Sequence, residues 1–342
     1  MDLPIRPPFP PMEARQVEEI PPGRGWQYEP KWDGFRCLAF RAGRDVYLQS
    51  KSGKPLARYF PDVVEALARL AARKFVLDGE IVIAVDGRLS FDELQLRLHP
   101  AESRVRKLLE AHRATYIAFD LLVSAGRDIT GKVLAERRLE LERFADQYFD
   151  DAVQLCPATR DMAVAREWFT GRHGGLDGIV AKRTDLAYLS GERAMRKIKR
   201  LRSADCVVGG FRYAARGRAV GSLLLGLYDD EGRLNHVGFT SGFSDDERRR
   251  LLERLEPLKG GRAFTGSAPG APSRWSSGKE TQWESLNPRL VAEVCYDHFS
   301  GRRFRHGTRF LRWRPDKDPR QCTYEQIERA GAPSLQLLEE QR

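Results

Sequence analysis

The run from Phe75 to Val85, FVLDGEIVIAV, constrains the fold more than any other stretch of the chain. Its density of β-branched and apolar residues marks a well-buried strand. Two carboxylates interrupt it. Asp78 and Glu80 stand two positions apart, so on a strand both project from one sheet face. A carboxylate embedded in an apolar strand needs a cation, a metal or a ligand hydroxyl. Glu80 is the stronger candidate for a site, with an edge-strand pairing to an arginine as the plain alternative. Tyr116 to Leu122 (YIAFDLL) and Gly178 to Lys182 (GIVAK) read as two further buried strands. Amphipathic helices are expected between them. Pro61 to Lys74 sets Val63, Val64, Leu67 and Leu70 on one face, and Ser90 with Glu93 forms a capping-box pattern opening a helix that includes Leu94 and Leu98. The first thirty residues, with prolines at 4, 7, 8, 10, 11, 21, 22 and 30, cannot sustain a helix and read as an extended strap laid over the succeeding domain.

After Arg200 the texture changes. Cys206 to Phe211, Ser222 to Tyr228 and Leu234 to Phe239 are short strands with Gly-rich turns, followed by a second capping box at Ser244 and Glu247. Gly260 to Gly278 has no period and reads as a surface loop or a segment that orders on binding. At 342 residues the chain exceeds the roughly 250 to 300 at which a single core stops growing. Two domains are therefore expected, 1–202 and 203–342, the first α+β and the second a small β-barrel of OB-like size.

The 58 Lys and Arg against 48 Asp and Glu leave a net charge of +10, which points to a polyanionic partner, nucleic acid or an acidic membrane surface. No stretch approaches the roughly 18 apolar residues of a membrane span, and the first residues are Pro-rich where a signal core would be apolar, so a cytoplasmic protein is expected. The five cysteines, 37, 156, 206, 295 and 322, never form C-x-x-C, which argues against a disulfide framework and a cysteine-rich zinc site. The sequence has no P-loop, no strand-linked G-x-G-x-x-G, no H-E-x-x-H and no G-x-S-x-G. Nucleotide chemistry here needs another apparatus.

The string Glu29 to Arg36, EPKWDGFR, supplies a candidate, because it sets Lys31 among two carboxylates, a turn glycine and an arginine. Alone it also reads as a charged, solvated turn. Asp177 precedes the buried run Gly178-Ile-Val-Ala, where it suits either a divalent metal or a simple turn. Lys197 and Lys199 flank Ile198, so on a strand both ammonium groups share one side and suit a phosphate, or else belong to a basic stripe spanning Arg193 to Arg202. Phe119 ends an apolar run and either packs a core or stacks on a base.

Taken in order, these strings resemble the nucleotidyltransferase motifs of ATP-dependent DNA ligases. K-x-D-G-x-R matches Lys31 to Arg36, and the second motif Ser50 to Gly53; D-G-E matches Asp78 to Glu80, and F-D-L-L matches Phe119 to Leu122. R-R-x-x-L matches Arg137 to Leu141, [ED]-G-x-V-x-K matches Asp177 to Lys182, K-x-K matches Lys197 to Lys199, and Arg309 to Pro319 resembles the last motif, with Asp316 and Lys317 as its pair. The likeness covers nearly the whole chain and is strongest to the stand-alone bacterial ligase C type, similar also to the ligase domain of bacterial ligase D. Asp177 stands where the family usually has Glu, Lys51 where it has Arg, and Met195 where the ligase D type has Trp.

The resemblance implies an adenylation (nucleotidyltransferase) domain with an antiparallel-sheet core followed by an OB-fold barrel. It implies ATP as substrate and a covalent AMP on Lys31, which then passes to the 5′-phosphate of nicked double-stranded DNA before the 3′-OH seals the strand. Glu29, Phe119, Arg36 and Glu80 are then expected around the adenosine, Lys197 and Lys199 on the α-phosphate, and Asp177 with Glu80 on Mg²⁺ or Mn²⁺. Asp316 and Lys317 are expected to orient pyrophosphate, and Lys51 and Arg138 to hold DNA, while Arg302, Arg303, Arg305 and Arg309 are either part of the DNA footprint or ordinary solvated surface. Clustered cations and partial burial are expected to depress the pKa of Lys31. The implied setting is DNA repair in the bacterial nucleoid by a monomer, with end-binding or end-processing proteins as separate partners. An RNA ligase or a GTP-using capping enzyme shares K-x-D-G and K-x-K. A non-catalytic OB-fold nucleic-acid-binding protein explains the charge but not Lys31.

Overall fold

A computed structural model describes residues 1–170, 176–214, 219–270, 282–328 and 338 of the chain. These belong to two compact units, Met1–Arg200 with Gly331–Arg342, and Leu201–Ala330. The second domain expected over 203–342 thus differs at its end, because Leu338 joins the hydrophobic cluster of Trp32, Ile179 and Ile198 in the first unit.

The apolar run at 75–85 forms the central strand, Lys74–Val85, of a seven-stranded sheet. Its main path runs Asp45–Ser50, Phe35–Ala42, Lys74–Val85, Ala114–Ser124 and Arg127–Asp128. Alternation divides its side chains. Leu77, Ile81 and Ile83 join the helices Pro61–Arg69 and Leu134–Tyr148 in one core, whereas Val76 and Val82 belong to the clusters of the opposite face. Asp78 and Glu80, in phase with Val76 and Val82, share that inner face as expected. Gly79 between them has no room for a side chain: a Cβ would lie 2.6 Å from the Ile117 carbonyl oxygen.

A second sheet of four strands covers the inner face in the order Ala14–Val17, Met195–Lys199, Gly178–Arg183, Trp26–Pro30. The Pro-rich strap supplies the first of these, pairing parallel to Met195–Lys199. Ile179, Ala181 and Ile198 from this sheet and Val82 and Ile117 from the other fill the core between them. Each Val or Ile side chain among them, fully buried, stabilises the fold by roughly 1.5–3 kcal/mol.

Two helices are shorter than their periodicity suggests. The helix opening at Pro61 ends at Arg69, because the buried Arg41 guanidinium donates to the carbonyls of Leu67 and Leu70 and closes its last turn. The helix capped by Ser90 spans only Phe91–Leu96. Arg97 then turns inward to pair with buried Asp62 at 2.9 Å, and Leu98 is left outside, 47% exposed.

The second unit is a curled sheet in the order Leu234–Thr240, Val220–Tyr228, Arg202–Tyr213, Val291–Tyr296, Arg309–Trp313. Thr308, just before the last strand, closes it on the first: its N–H donates to Phe239 and its carbonyl accepts from Thr240 Oγ1. The expected capping box at Ser244 and Glu247 opens the helix Asp245–Leu255. Of the loop expected at 260–278, residues 271–278 lie outside the described residues.

Arg137, from the R-R-x-x-L string, is fully buried and grips Asp120 through Nε and Nη2, each at 2.9 Å, while Nη1 reaches the Lys132 and Leu186 carbonyls. Replacing one partner leaves the other charge buried alone. Arg137→Ala is expected to cost the first unit about 3–5 kcal/mol, read as a lower midpoint in urea unfolding, with Arg137→Lys recovering only part because it lacks the fork.

Candidate active site

Between the two sheets of the first unit opens a pocket with an empty volume of about 750 Å³, the open solvent at its mouth included. The seven-stranded sheet contributes Arg36, Glu80 and Phe119, and the four-stranded sheet contributes Glu29, Val180, Lys182, Met195 and Lys197. The turn after Pro30 brings Lys31 and Trp32. Lys51 and Glu13 complete the rim.

Lys31 is held from both ends. Its backbone N–H donates to the Gly178 carbonyl at 2.9 Å, and its ammonium is in direct contact with the Asp177 carboxylate. Burial acts to strip its proton, but Asp177 in contact and Asp33 and Glu80 nearby outweigh it, so the Lys31 pKa lies above the ordinary lysine value. The depressed pKa expected for Lys31 is therefore corrected: its nearest neighbours are anions. The amine that is depressed is Lys197, through burial and the charges of Lys199, Lys31 and Lys51.

Arg36 donates to both oxygens of buried Asp78, at 2.9 and 2.6 Å, and to the Met12 carbonyl at 2.8 Å. Tyr188 OH donates to the same Asp78 at 2.6 Å and accepts from the Met12 N–H at 3.0 Å. Glu29, also buried, accepts from Lys182 and Gln27, each at 2.8 Å. Phe119 has two cations at its ring, Arg36 at 5.0 Å and Lys182 at 4.4 Å from the centroid. Burial pushes the Glu80 carboxyl up to about 8 against the pull of Lys31 and Arg36.

The pocket thus joins one activatable amine, a cation-flanked ring and several phosphate-sized cations, a set suited to covalent nucleotide transfer. The family model described as ATP dependent DNA ligase domain matches residues 11–199, and that described as ATP dependent DNA ligase C terminal region matches 216–317. The chain belongs to the ATP-dependent DNA ligases. DNA ligase C of Mycobacterium tuberculosis is 46% identical over 98% of both chains. The multifunctional non-homologous end joining protein LigD of Pseudomonas aeruginosa is 31% identical over 94% of this chain and 37% of that protein. A solved Lig E DNA ligase shares the fold, with a TM-score of 0.52 and 17% identity over 89% of this chain and 99% of that one.

In this ligase chain the pocket gathers Glu29, Lys31, Arg36, Lys51, Glu80, Phe119 and Lys197, with Asp177 against Lys31. Lys199 pairs with Gly178 one strand step further on and does not line it. Arg138, expected on DNA, is 7% exposed instead, its guanidinium donating to Glu142 and to the Cys156 carbonyl. In the second unit Asp316 is exposed and bridged to Arg314 at 2.8 Å, which holds its carboxyl down at about 2. Lys317 lies 3.7 Å from Asp205. Arg302 and Arg309 are exposed, Arg302 over the Tyr324 ring, whereas Arg303 and Arg305 are half-buried, Arg303 against His236. Sequence reasoning missed Glu13, Trp32 and Lys182 as pocket residues. Lys182 was legible, since it alternates with Val180 on one strand face; a lone glutamate in a Pro-rich strap gives no such signal.

Glu80 carries a pH signature. Its unfolded carboxyl titrates near the ordinary 4.5, so between pH 4.5 and about 8 the folded chain holds a proton that the unfolded chain has lost, and stability falls as pH rises through that window. Glu80→Gln removes this cost, which has a ceiling of about 5 kcal/mol. The Tm advantage of the variant is expected to be small near pH 4.5, to grow up to about pH 8 and then to level off. An advantage equal at every pH contradicts the assignment.

Proposed function

We propose that the chain seals nicks in duplex DNA through a lysyl-AMP on Lys31, in the course of DNA repair. The observation that carries this reading is Lys31 fixed against Asp177 in a pocket whose other walls present Phe119, Arg36 and Lys197. Adenine lies against Phe119 near the Glu29–Lys182 pair, and Arg36 with Glu80 faces the ribose. Lys197 meets the α-phosphate from its strand, where Lys199 adds positive charge for the same phosphate. The Lys31 amine attacks the α-phosphorus, an N–P bond forms, the P–O bond to pyrophosphate breaks, and the lysine proton leaves. Asp177, already in contact, is the nearest acceptor for that proton. AMP then passes to a DNA 5′-phosphate, and the 3′-OH displaces it.

A divalent cation, Mg²⁺ or Mn²⁺, supplies charge neutralisation at the phosphates when bound. Asp177, in contact with Lys31, and Glu80, near it, would hold the cation, which would displace the proton that burial keeps on Glu80. Asp316 and Lys317 of the OB-fold unit orient pyrophosphate, and exposed Arg302 and Arg309 offer the second unit's phosphate contacts to DNA. Among the described residues no helix is long and apolar enough to cross a membrane.

Incubation with α-labelled ATP and a divalent cation is expected to leave one denaturation-resistant AMP per chain. GTP leaves none, and neither does Lys31→Ala with ATP. Because the Lys31 pKa is raised, the single-turnover rate of lysyl-AMP formation is expected to climb with pH, up to tenfold per unit, across the neutral range. Asp177→Asn removes the anion and leaves burial dominant, so its rising limb moves to lower pH while its plateau rate drops. A pH-independent rate, or a limb that stays in place, contradicts the roles given to these two residues.

A further inference from the structure

One carboxylate in the pocket has no part in these steps. Glu13 lies within the strap, just before the strand Ala14–Val17, and its backbone is fixed on both sides. Its N–H donates to the Glu192 carbonyl at 2.7 Å, and its own carbonyl accepts from the Met195 N–H at 3.1 Å. The side chain is thereby set at the pocket rim, with Oε2 3.0 Å from Lys51 Nζ and 4.0 Å from Arg193 Nε. The contact with Lys51 holds its carboxyl below the ordinary value, with burial opposing and Arg193 and Arg36 adding to the effect. Its field extends to Lys197 across the same pocket. A fixed anion beside these cations lowers their attraction for an incoming polyanion and competes with it for Lys51.

We propose that Glu13 is a built-in counter-anion for Lys51 and Arg193 that pyrophosphate must displace, so that it weakens pyrophosphate retention and favours the lysyl-AMP state. This rests on the adenylylation reading of the same pocket. The reverse step reports on it directly: pyrophosphate oxygen attacks the lysyl-AMP phosphorus, the N–P bond breaks, a P–O bond forms, ATP leaves and Lys31 regains its proton. Glu13 forms no bond in this step; it is a positioning residue that acts through Lys51.

The full-length lysyl-AMP protein is mixed with increasing pyrophosphate, and loss of AMP is followed by intact mass. The half-saturating pyrophosphate concentration is expected to fall about three- to tenfold in Glu13→Gln, and the gap to narrow as salt rises. Glu13→Asp, which keeps the charge, stays near the unmodified chain and controls for damage to the strap. In the double variant Glu13→Gln/Lys51→Gln the gain disappears. An unchanged concentration in Glu13→Gln, or a gain that survives loss of Lys51, overturns the proposal. So does a gain confined to AMP transfer onto a 5′-phosphorylated nick, which assigns the counter-anion to DNA phosphate instead. If the unmodified chain never acquires AMP, the adenylylation reading itself fails and the inference goes with it.

Discussion

The contact between Lys31 and Asp177 is the constraint on which the site depends. Either charge alone, out of water, costs several kcal/mol, so the two must arrive together. The backbone arranges this. The Lys31 N–H donates to the Gly178 carbonyl, next to Asp177, and Gly178 adopts a φ of +147° that side-chain-bearing residues rarely take. A Cβ at that position would run into the Ile198 carbonyl. Three segments distant in sequence therefore close on one glycine, and the same closure sets Lys197 opposite Val180 and turned into the pocket.

A second tie joins the strap to the opposite sheet. Met12 offers its carbonyl to Arg36 and its N–H to Tyr188, and both side chains converge on Asp78. The strap is thus fastened by the group that also fixes Arg36 beside Phe119. Gly34 completes the arrangement. With no Cβ it lets the turn after Lys31 lie against the Ile81 carbonyl, which a side chain would strike, and so keeps Lys31 within the field of Glu80.

Much of this was legible in the sequence because the signals were strong and local. FVLDGEIVIAV could only be a buried strand, and its two carboxylates could only share a face. The strap was legible through its prolines, yet not that four of its residues would pair as a sheet strand, since parallel pairing to Met195–Lys199 is a long-range event. Helix ends failed where tertiary partners decided them: Arg41 closes one and Arg97 diverts another. The charge state of Lys31 was illegible for the same reason. A string shows Arg36 as a neighbour of Lys31 but cannot show that Asp78 has claimed it, or that Asp177, 146 positions away, is the group in contact. Likewise Arg138 looked like a DNA contact on a helix, and only packing reveals Glu142 and the Cys156 carbonyl holding it.

The net charge of +10 also misleads about the pocket. Most of its cations are already matched: Lys31 with Asp177, Arg36 with Asp78, Lys182 with Glu29 and Lys51 with Glu13. Among the described residues Lys197 alone of the pocket cations has no carboxylate at ion-pair distance, and its depressed pKa reflects that. The matched pairs are not equivalent. Asp78 and Glu29 are sealed at no more than 3% side-chain exposure, so their cations Arg36 and Lys182 act as fixed struts. Glu13 and Lys51 meet at 29% and 57% exposure, where water screens the pair and exchange for another anion costs little. A gradient from sealed to exchangeable pairs therefore runs from Arg36 and Lys182 to Lys51 at the rim, and an entering anion meets the protein's own ion pair where it is easiest to open.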